Sequence, residues 1–260
     1  MAKSLIKAEG LRKTFQLSKK QQKINRSNAT KKVAVDDVSF ECFAGEIYGL
    51  LGPNGAGKTT VMRILSTLMK ADEGDATIMG ASVKDDPDAV RKSIAFLTTE
   101  LKLDEFFTPN YLYDFYSNLH KIDEETRKTR KKMLFDKFGI NKFAEVKVGE
   151  MSTGMKQKVS LVVALVHDPK VIIFDEPTNG LDVLTAKVVT DFLSELKSQD
   201  RCIIVSTHIF SLIEKVCDRI GIIINGKMVV DDTLKKVCDG KTLEDRFFEI
   251  YRETTGGIEI

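Results

Sequence analysis

Nine consecutive residues, Gly52-Pro53-Asn54-Gly55-Ala56-Gly57-Lys58-Thr59-Thr60, constrain this chain more than any other feature. They satisfy G-x-x-x-x-G-K-[ST], where glycines let the backbone curl so that successive N–H groups point inward at bound phosphates. The flanks agree with that reading. Glu46 to Leu51 is a short apolar run that reads as a strand, and Val61, Ile64, Leu65 and Leu68 then recur at helical spacing. A helix opening at the loop adds its positive N-terminal end. In this pattern Lys58 reaches the β- and γ-phosphates and the Thr59 hydroxyl ligates Mg²⁺. The bland alternative, a glycine-rich turn with a surface lysine, leaves the strand-loop-helix order unexplained.

The rest of the chain supplies the setting for such a loop. Val38 to Phe43 alternates as a half-buried strand should, while Val171 to Phe174 and Cys202 to Val205 are continuous apolar runs suited to strands covered on both faces. Segments 183–198 and 209–216 read as helices, giving the alternation of an α/β domain. Ile220 to Ile224, Asn225-Gly226 and Lys227 to Val230 predict a hairpin with a type I′ turn. Residues 101–149 differ in texture, being charged and helical, with Thr108-Pro109 as N-cap and first helical position and Gly139 as a stop. Tyr111, Leu112, Phe115, Tyr116 and Leu119 form an apolar stripe there, read as core rather than as a docking surface. Ser18 to Lys32 reads as a polar loop.

Composition sets bounds. The chain has 260 residues, 42% of them hydrophobic and 30% charged, enough for a substantial core in an ordinary globular protein. Forty basic and 38 acidic residues give a net charge of +2, so no overall basic field announces nucleic-acid binding. Cys42, Cys202, Cys217 and Cys238 are scattered without metal-ligand spacing and read as thiols in a reducing compartment. The N-terminus lacks the apolar run of a secretory signal and no run reaches spanning length, so a cytosolic location is expected.

Two further motifs carry chemistry. Val171 to Phe174 leads into Asp175-Glu176, an apolar strand ending in adjacent carboxylates. Beside a phosphate loop, the first carboxylate belongs with the metal and the second can orient and deprotonate an attacking water. Met151-Ser152-Thr153-Gly154-Met155 precedes a helix bearing Val159, Val162, Val163 and Val166, with Ser152 as its N-cap.

Taken together and in this order, these residues resemble the nucleotide-binding domain of ABC ATPases over nearly the whole chain. The resemblance implies an α/β fold of the P-loop NTPase class, with a RecA/F1-like core, an N-terminal antiparallel β subdomain and an inserted α-helical subdomain. It also implies boundaries: residues 1–97 and 160–240 for the ATP-binding core, 98–159 for the helical signature subdomain and 241–260 for a C-terminal tail. ATP and Mg²⁺ are the implied ligands. Asn54, Gly55, Ala56, Gly57, Lys58, Thr59 and Thr60 would hold the phosphates, Phe15 would stack on adenine, and Ser152 and Gly154 would cap the nucleotide of a second cassette. Asp182, in Gly180-Leu181-Asp182, matches the loop that crosses the dimer interface, and His208 the residue that contacts the γ-phosphate. Glu176 would act on the attacking water, while Asp175 and Thr59 would hold the metal. Thr99 stands where the family usually has glutamine, and a metal-bound water is the expected partner of Thr99, a task that neighbouring Glu100 could share.

The signature variant and the tail Thr242 to Ile250 are similar to exporters of the ABC-2 group, and Ser-Thr-Gly-Met-Lys-Gln with Thr-Asn-Gly-Leu-Asp is similar to Nat-type sodium extrusion ATPases. The implied partners are an integral-membrane ABC-2 permease and a homodimeric or second cassette, on the cytoplasmic face of the membrane, with no nucleic acid. A soluble ABC protein acting on nucleic acid or ribosomes is the rival; such proteins usually carry two cassettes or a long coiled-coil insertion. A small-molecule kinase leaves the signature and His208 unexplained. The basic runs Lys19, Lys20, Lys23, Arg26, Lys31, Lys32 and Arg127, Lys128, Arg130, Lys131, Lys132 read as solvated faces rather than a membrane-attracted surface.

Overall fold

The computed structural model describes residues 3–24, 29–98, 103–177, 183–197 and 200–257. Elements follow in the order β1 (Ser4–Gln16), α1 (Lys19–Ile24), β2 (Lys31–Phe43), β3 (Ile47–Leu51), α2 (Lys58–Leu65), β4 (Glu73–Ile78), β5 (Ala81–Ser82), α3 (Pro87–Ser93) and β6 (Ile94–Thr98). The helical stretch α4 (Pro109–Leu119), α5 (Glu124–Phe138) and α6 (Thr153–Ala164) comes next. The chain then runs β7 (Val171–Asp175), α7 (Val183–Lys197), β8 (Cys202–Thr207), α8 (Phe210–Val216), β9 (Arg219–Ile224), β10 (Lys227–Thr233), α9 (Leu234–Cys238) and α10 (Leu243–Thr255).

Among the described residues, six strands form a sheet in the order β10-β9-β3-β8-β7-β6, parallel except for the β10 edge. Its central strands are apolar throughout because both faces are covered. Tyr48, Leu50, Val171, Ile173, Cys202 and Ile204 face one core, with α2 and the second sheet. Ile47, Leu51, Ile172, Phe174, Ile203 and Val205 face the other, with the helical stretch, α8 and α10. The second sheet is antiparallel, in the order β2-β1-β4-β5.

The helical stretch shares one continuous core with the sheet: Leu112, Tyr113, Phe135 and Phe138 join the cluster that holds Ile172 and Val205. The boundary expected at 159/160 falls inside α6, a single helix from Thr153 to Ala164. The expected caps are present. The Thr108 hydroxyl accepts from the Tyr111 N–H at 3.2 Å, and Gly139 ends α5 at φ 65°.

Three expectations are corrected. The apolar stripe on α4 is core only in part: Leu112 is buried and Tyr116 packs against the core, but Tyr111, Phe115 and Leu119 are exposed at 48%, 49% and 64%. Beside Leu112 the helix buries Pro109, Tyr113 and Ser117, because Tyr113 packs edge-on against Phe135 of α5. Segment 18–32 is not one loop. Lys19–Ile24 is helical, and Lys31 and Lys32 are strand residues held by pairing with Gln16 and Phe15 rather than by their own apolarity. Leu68 lies beyond the end of α2, past Thr67 at φ 61°, and is exposed. The cysteines are free thiols, with Cys42, Cys202 and Cys217 buried.

Candidate active site

The paired strands β1 and β2, the loop between β3 and α2, and the C-terminal ends of β7 and β8 meet around a pocket of about 390 Å³. Phe15, Lys32 and Ala34 line it from the β1–β2 ribbon, Asn54 to Thr60 from the loop, and Glu176 and His208 from the strand ends. Every phosphate-loop residue expected to touch nucleotide is therefore in the wall, as is Phe15. Parallel pairing explains the carboxylates: Asp175 is opposite Ser206 across β7 and β8, so both chains reach the loop at the same level.

The loop is held by its surroundings. Gly57 sits at φ 112°, and a Cβ there would lie 2.3 Å from the Ala34 carbonyl oxygen, so only glycine lets the loop pass under β2. The turn of the β9–β10 hairpin supports it from below. Asn225 and Gly226 take φ 50° and 83°, as a type I′ turn requires, and the Gly226 N–H donates to the Ala56 carbonyl at 3.0 Å. The Gly226 carbonyl accepts from Asp36 N–H at 2.8 Å, tying the same turn to β2.

Lys58 is buried, donates to the carbonyls of Gly52 (2.7 Å) and Pro53 (3.2 Å), and stands 4.0 Å from Glu176 Oε1. Burial lowers its pKa, and the carboxylates of Glu176 and Asp175 oppose that shift. Asp175, also buried, accepts from the Thr59 hydroxyl at 3.3 Å and from the Ser206 hydroxyl. Glu176 adopts the left-handed conformation at φ 54°, and its N–H donates to the Ser206 carbonyl at 3.0 Å. His208 Nδ1 donates to Glu176 Oε1 at 3.1 Å, while Glu176 Oε2 is buried with no partner among the described residues. An unsatisfied carboxylate oxygen beside a buried ammonium and an imidazole suits the holding of a water against a bound phosphate.

Ser152 and Gly154 do not line this pocket; they begin α6, where the Ser152 hydroxyl accepts from Met155 N–H at 3.3 Å. Thr99, Glu100 and Asp182, with Gly180 and Leu181, lie outside the described residues. Sequence reasoning missed Lys32, Ala34, Ser206 and Gly226. Ser206 was within reach as the residue before Thr207 and His208 at a strand end, whereas Lys32 becomes visible only with the β1–β2 register.

The sequence matches the profile of the family described as ABC transporter over residues 35–179, more than half the chain. The chain belongs to the ABC transporter family. Among similar proteins is the "ABC transporter ATP-binding protein NatA" of Bacillus subtilis strain 168, 33% identical over 226 residues, covering 86% of this chain and 92% of that one. The "Nod factor export ATP-binding protein I" of Burkholderia lata is 34% identical over 200 residues, covering 77% and 66%. A solved "ATP binding subunit of ABC transporter" superposes with a TM-score of 0.83 at 27% identity, over 95% of this chain and 99% of that one. This ABC transporter ATP-binding subunit is thus an ATPase with the P-loop NTPase fold that the family resemblance implies. Among its described residues no helix is long and apolar enough to cross a membrane.

Proposed function

We propose that this subunit powers export through a separate ABC-2 type membrane permease, with Glu176 acting as the base that activates the attacking water. The observation that carries the catalytic assignment is the buried Oε2 of Glu176, without a partner among the described residues and set in the same pocket wall as the phosphate loop. Lys58 neutralises phosphate charge, His208 contacts the γ-phosphate and orients Glu176 through the 3.1 Å bond, and Phe15 stacks on the base. Magnesium fits the donors present: the Thr59 hydroxyl and Asp175 carboxylate are hard oxygens 3.3 Å apart, the kind of short set that leaves other positions to phosphate and water. Bound there, magnesium would neutralise charge on the phosphate oxygens. Ser206, by donating to Asp175, keeps that carboxylate turned toward Thr59.

The position of the signature supports a dimer of cassettes. Ser152 and Gly154 stand apart from their own chain's pocket, so their anion-ready helix start is available to the nucleotide of a second cassette, identical or not. The permease reading draws on the exposed row Phe107, just before α4, and Tyr111 and Phe115 on it, whose rings stack at 4.3 and 6.2 Å. Beside it runs a mainly apolar groove lined by Leu68, Phe96, Leu103, Tyr116, His120 and His167. Exposed aromatics on this scale mark a contact surface. Export as the direction rests on the ABC-2 resemblance and on the Nod factor export relative.

The test is Glu176→Gln. ATP binding should persist while phosphate release falls by about 10²–10⁴-fold, the usual contribution of a positioned base. Undiminished turnover would remove Glu176 from the role.

A further inference from the structure

The early basic segment contains one lysine that is not merely solvated. Phe15 and Lys32 are direct partners in the antiparallel β1–β2 pair, and directly opposed residues project from the same face of a ribbon. That face is the one over the nucleotide pocket, because both side chains line it. Lys32 Nζ lies 3.8 Å from the point at which a side chain on Gly55 would begin, placing an ammonium directly above the first half of the phosphate loop. No carboxylate among the described residues pairs with it. Its side chain is exposed and its strand is anchored, so the cation has reach without losing its position. The adjacent cation, Lys58, is buried beneath the loop and bonded to the Gly52 and Pro53 carbonyls.

We propose that Lys32 is a further nucleotide-binding residue, which closes over the phosphate chain from the side opposite Lys58 and makes the pocket discriminate phosphorylated nucleotide from nucleoside. This inference rests on the reading of the pocket as the ATP site. One strand pair then serves both ends of the ligand, with Phe15 taking the base and its cross-strand partner the charge. A lysine suits this task, since a flexible point charge can follow phosphates that differ in number.

Calorimetric titration of wild-type, Lys32→Gln and Lys32→Arg protein with ADP, and displacement by adenosine, test the assignment. Lys32→Gln should weaken ADP binding by about 3–10-fold, the range for one solvent-facing charge on a multiply charged ligand. Adenosine affinity should be unchanged, Lys32→Arg should stay within about twofold of wild type, and the salt dependence of ADP binding should be shallower in Lys32→Gln. Equal ADP affinity in Lys32→Gln and wild type overturns the proposal, as does an equal loss for adenosine, which would make Lys32 a wall of the base pocket. Failure of the wild-type protein to bind ADP would instead overturn the reading of the pocket itself.

Discussion

Glu176 is the residue at which geometry and chemistry bear most directly on each other. It is not glycine, yet its backbone is left-handed at φ 54°, a conformation costing about 1–3 kcal/mol at such sites. The fold tolerates that cost because the Glu176 N–H is held by the Ser206 carbonyl, which turns the side chain back toward Lys58 and His208. Two variants that both delete the carboxylate separate strain from chemistry. Glu176→Gly should melt above Glu176→Ala, by about 1 kcal/mol or roughly 2–4 °C for a chain of this size, because glycine adopts the conformation freely. Equal melting temperatures would mean that the surroundings relax and the strain is not stored at this position. On the proposed role both variants should be inactive, so the comparison isolates the backbone from the chemistry proposed for the side chain.

At the scale of elements, α4 and α6 are linked by a stacked histidine pair, with His120 at the end of α4 and His167 just past α6, ring centroids 4.1 Å apart. His167 donates from Nε2 to the Ile94 carbonyl at 2.9 Å, which leaves Nδ1 buried without a partner among the described residues. Burial first, then the neighbouring His120, pushes the His167 pKa down to about 4. The folded value lies below the unfolded one of about 6.5, so the stabilisation is present above pH 6.5 and is lost as pH falls toward 4, where the unfolded chain alone takes up the proton. Thermal melts from pH 7 to pH 4.5 should show this loss, and His167→Gln should flatten it; an unchanged slope would place the titration elsewhere. Elements of this kind were legible in different degrees. The central strands declared themselves by unbroken apolar runs, and the caps Thr108, Ser152 and Gly139 by local chemistry that needs no distant partner. The burial of α4 was not legible. Aromatic residues occupy both its faces, and only the position of Phe135 on another helix decides that Tyr113 faces inward. Likewise Lys32 reads as one charge in a basic run until a cross-strand partner fixes its direction, whereas Lys58 and Glu176 carry their meaning in adjacent residues.

For the whole molecule, the exposed row on α4 and the nucleotide pocket are separate surfaces, lined by different residues. That separation makes coupling testable. Replacing Tyr111 and Phe115 together by serine should leave ATP hydrolysis by the isolated subunit within about twofold of wild type, since neither side chain is buried and surface changes of this kind cost little. Recovery of a polytopic membrane protein with the subunit from gently solubilised membranes should fall at least tenfold. Equal recovery would assign the row to some other role and leave the groove along Phe96 and Tyr116 as the docking site.

The hydrogen bond from Gly226 to Ala56 has a consequence for synthesis on the ribosome. The strand that carries the phosphate loop, β3, is hydrogen-bonded on one side to β8 and on the other to β9, and the loop rests on a turn that follows β9. All three supports are made long after the loop itself has emerged. At the usual pace of elongation, about 5–20 residues per second, the interval is roughly 10–30 seconds. During that time the β1–β2 ribbon has its strand partner while the loop hangs from an unpaired strand. Nucleotide capture is therefore expected to be a late event in the birth of this chain, and a truncation before residue 226 should fail to bind ADP in a calorimetric titration even though every phosphate-loop residue is present.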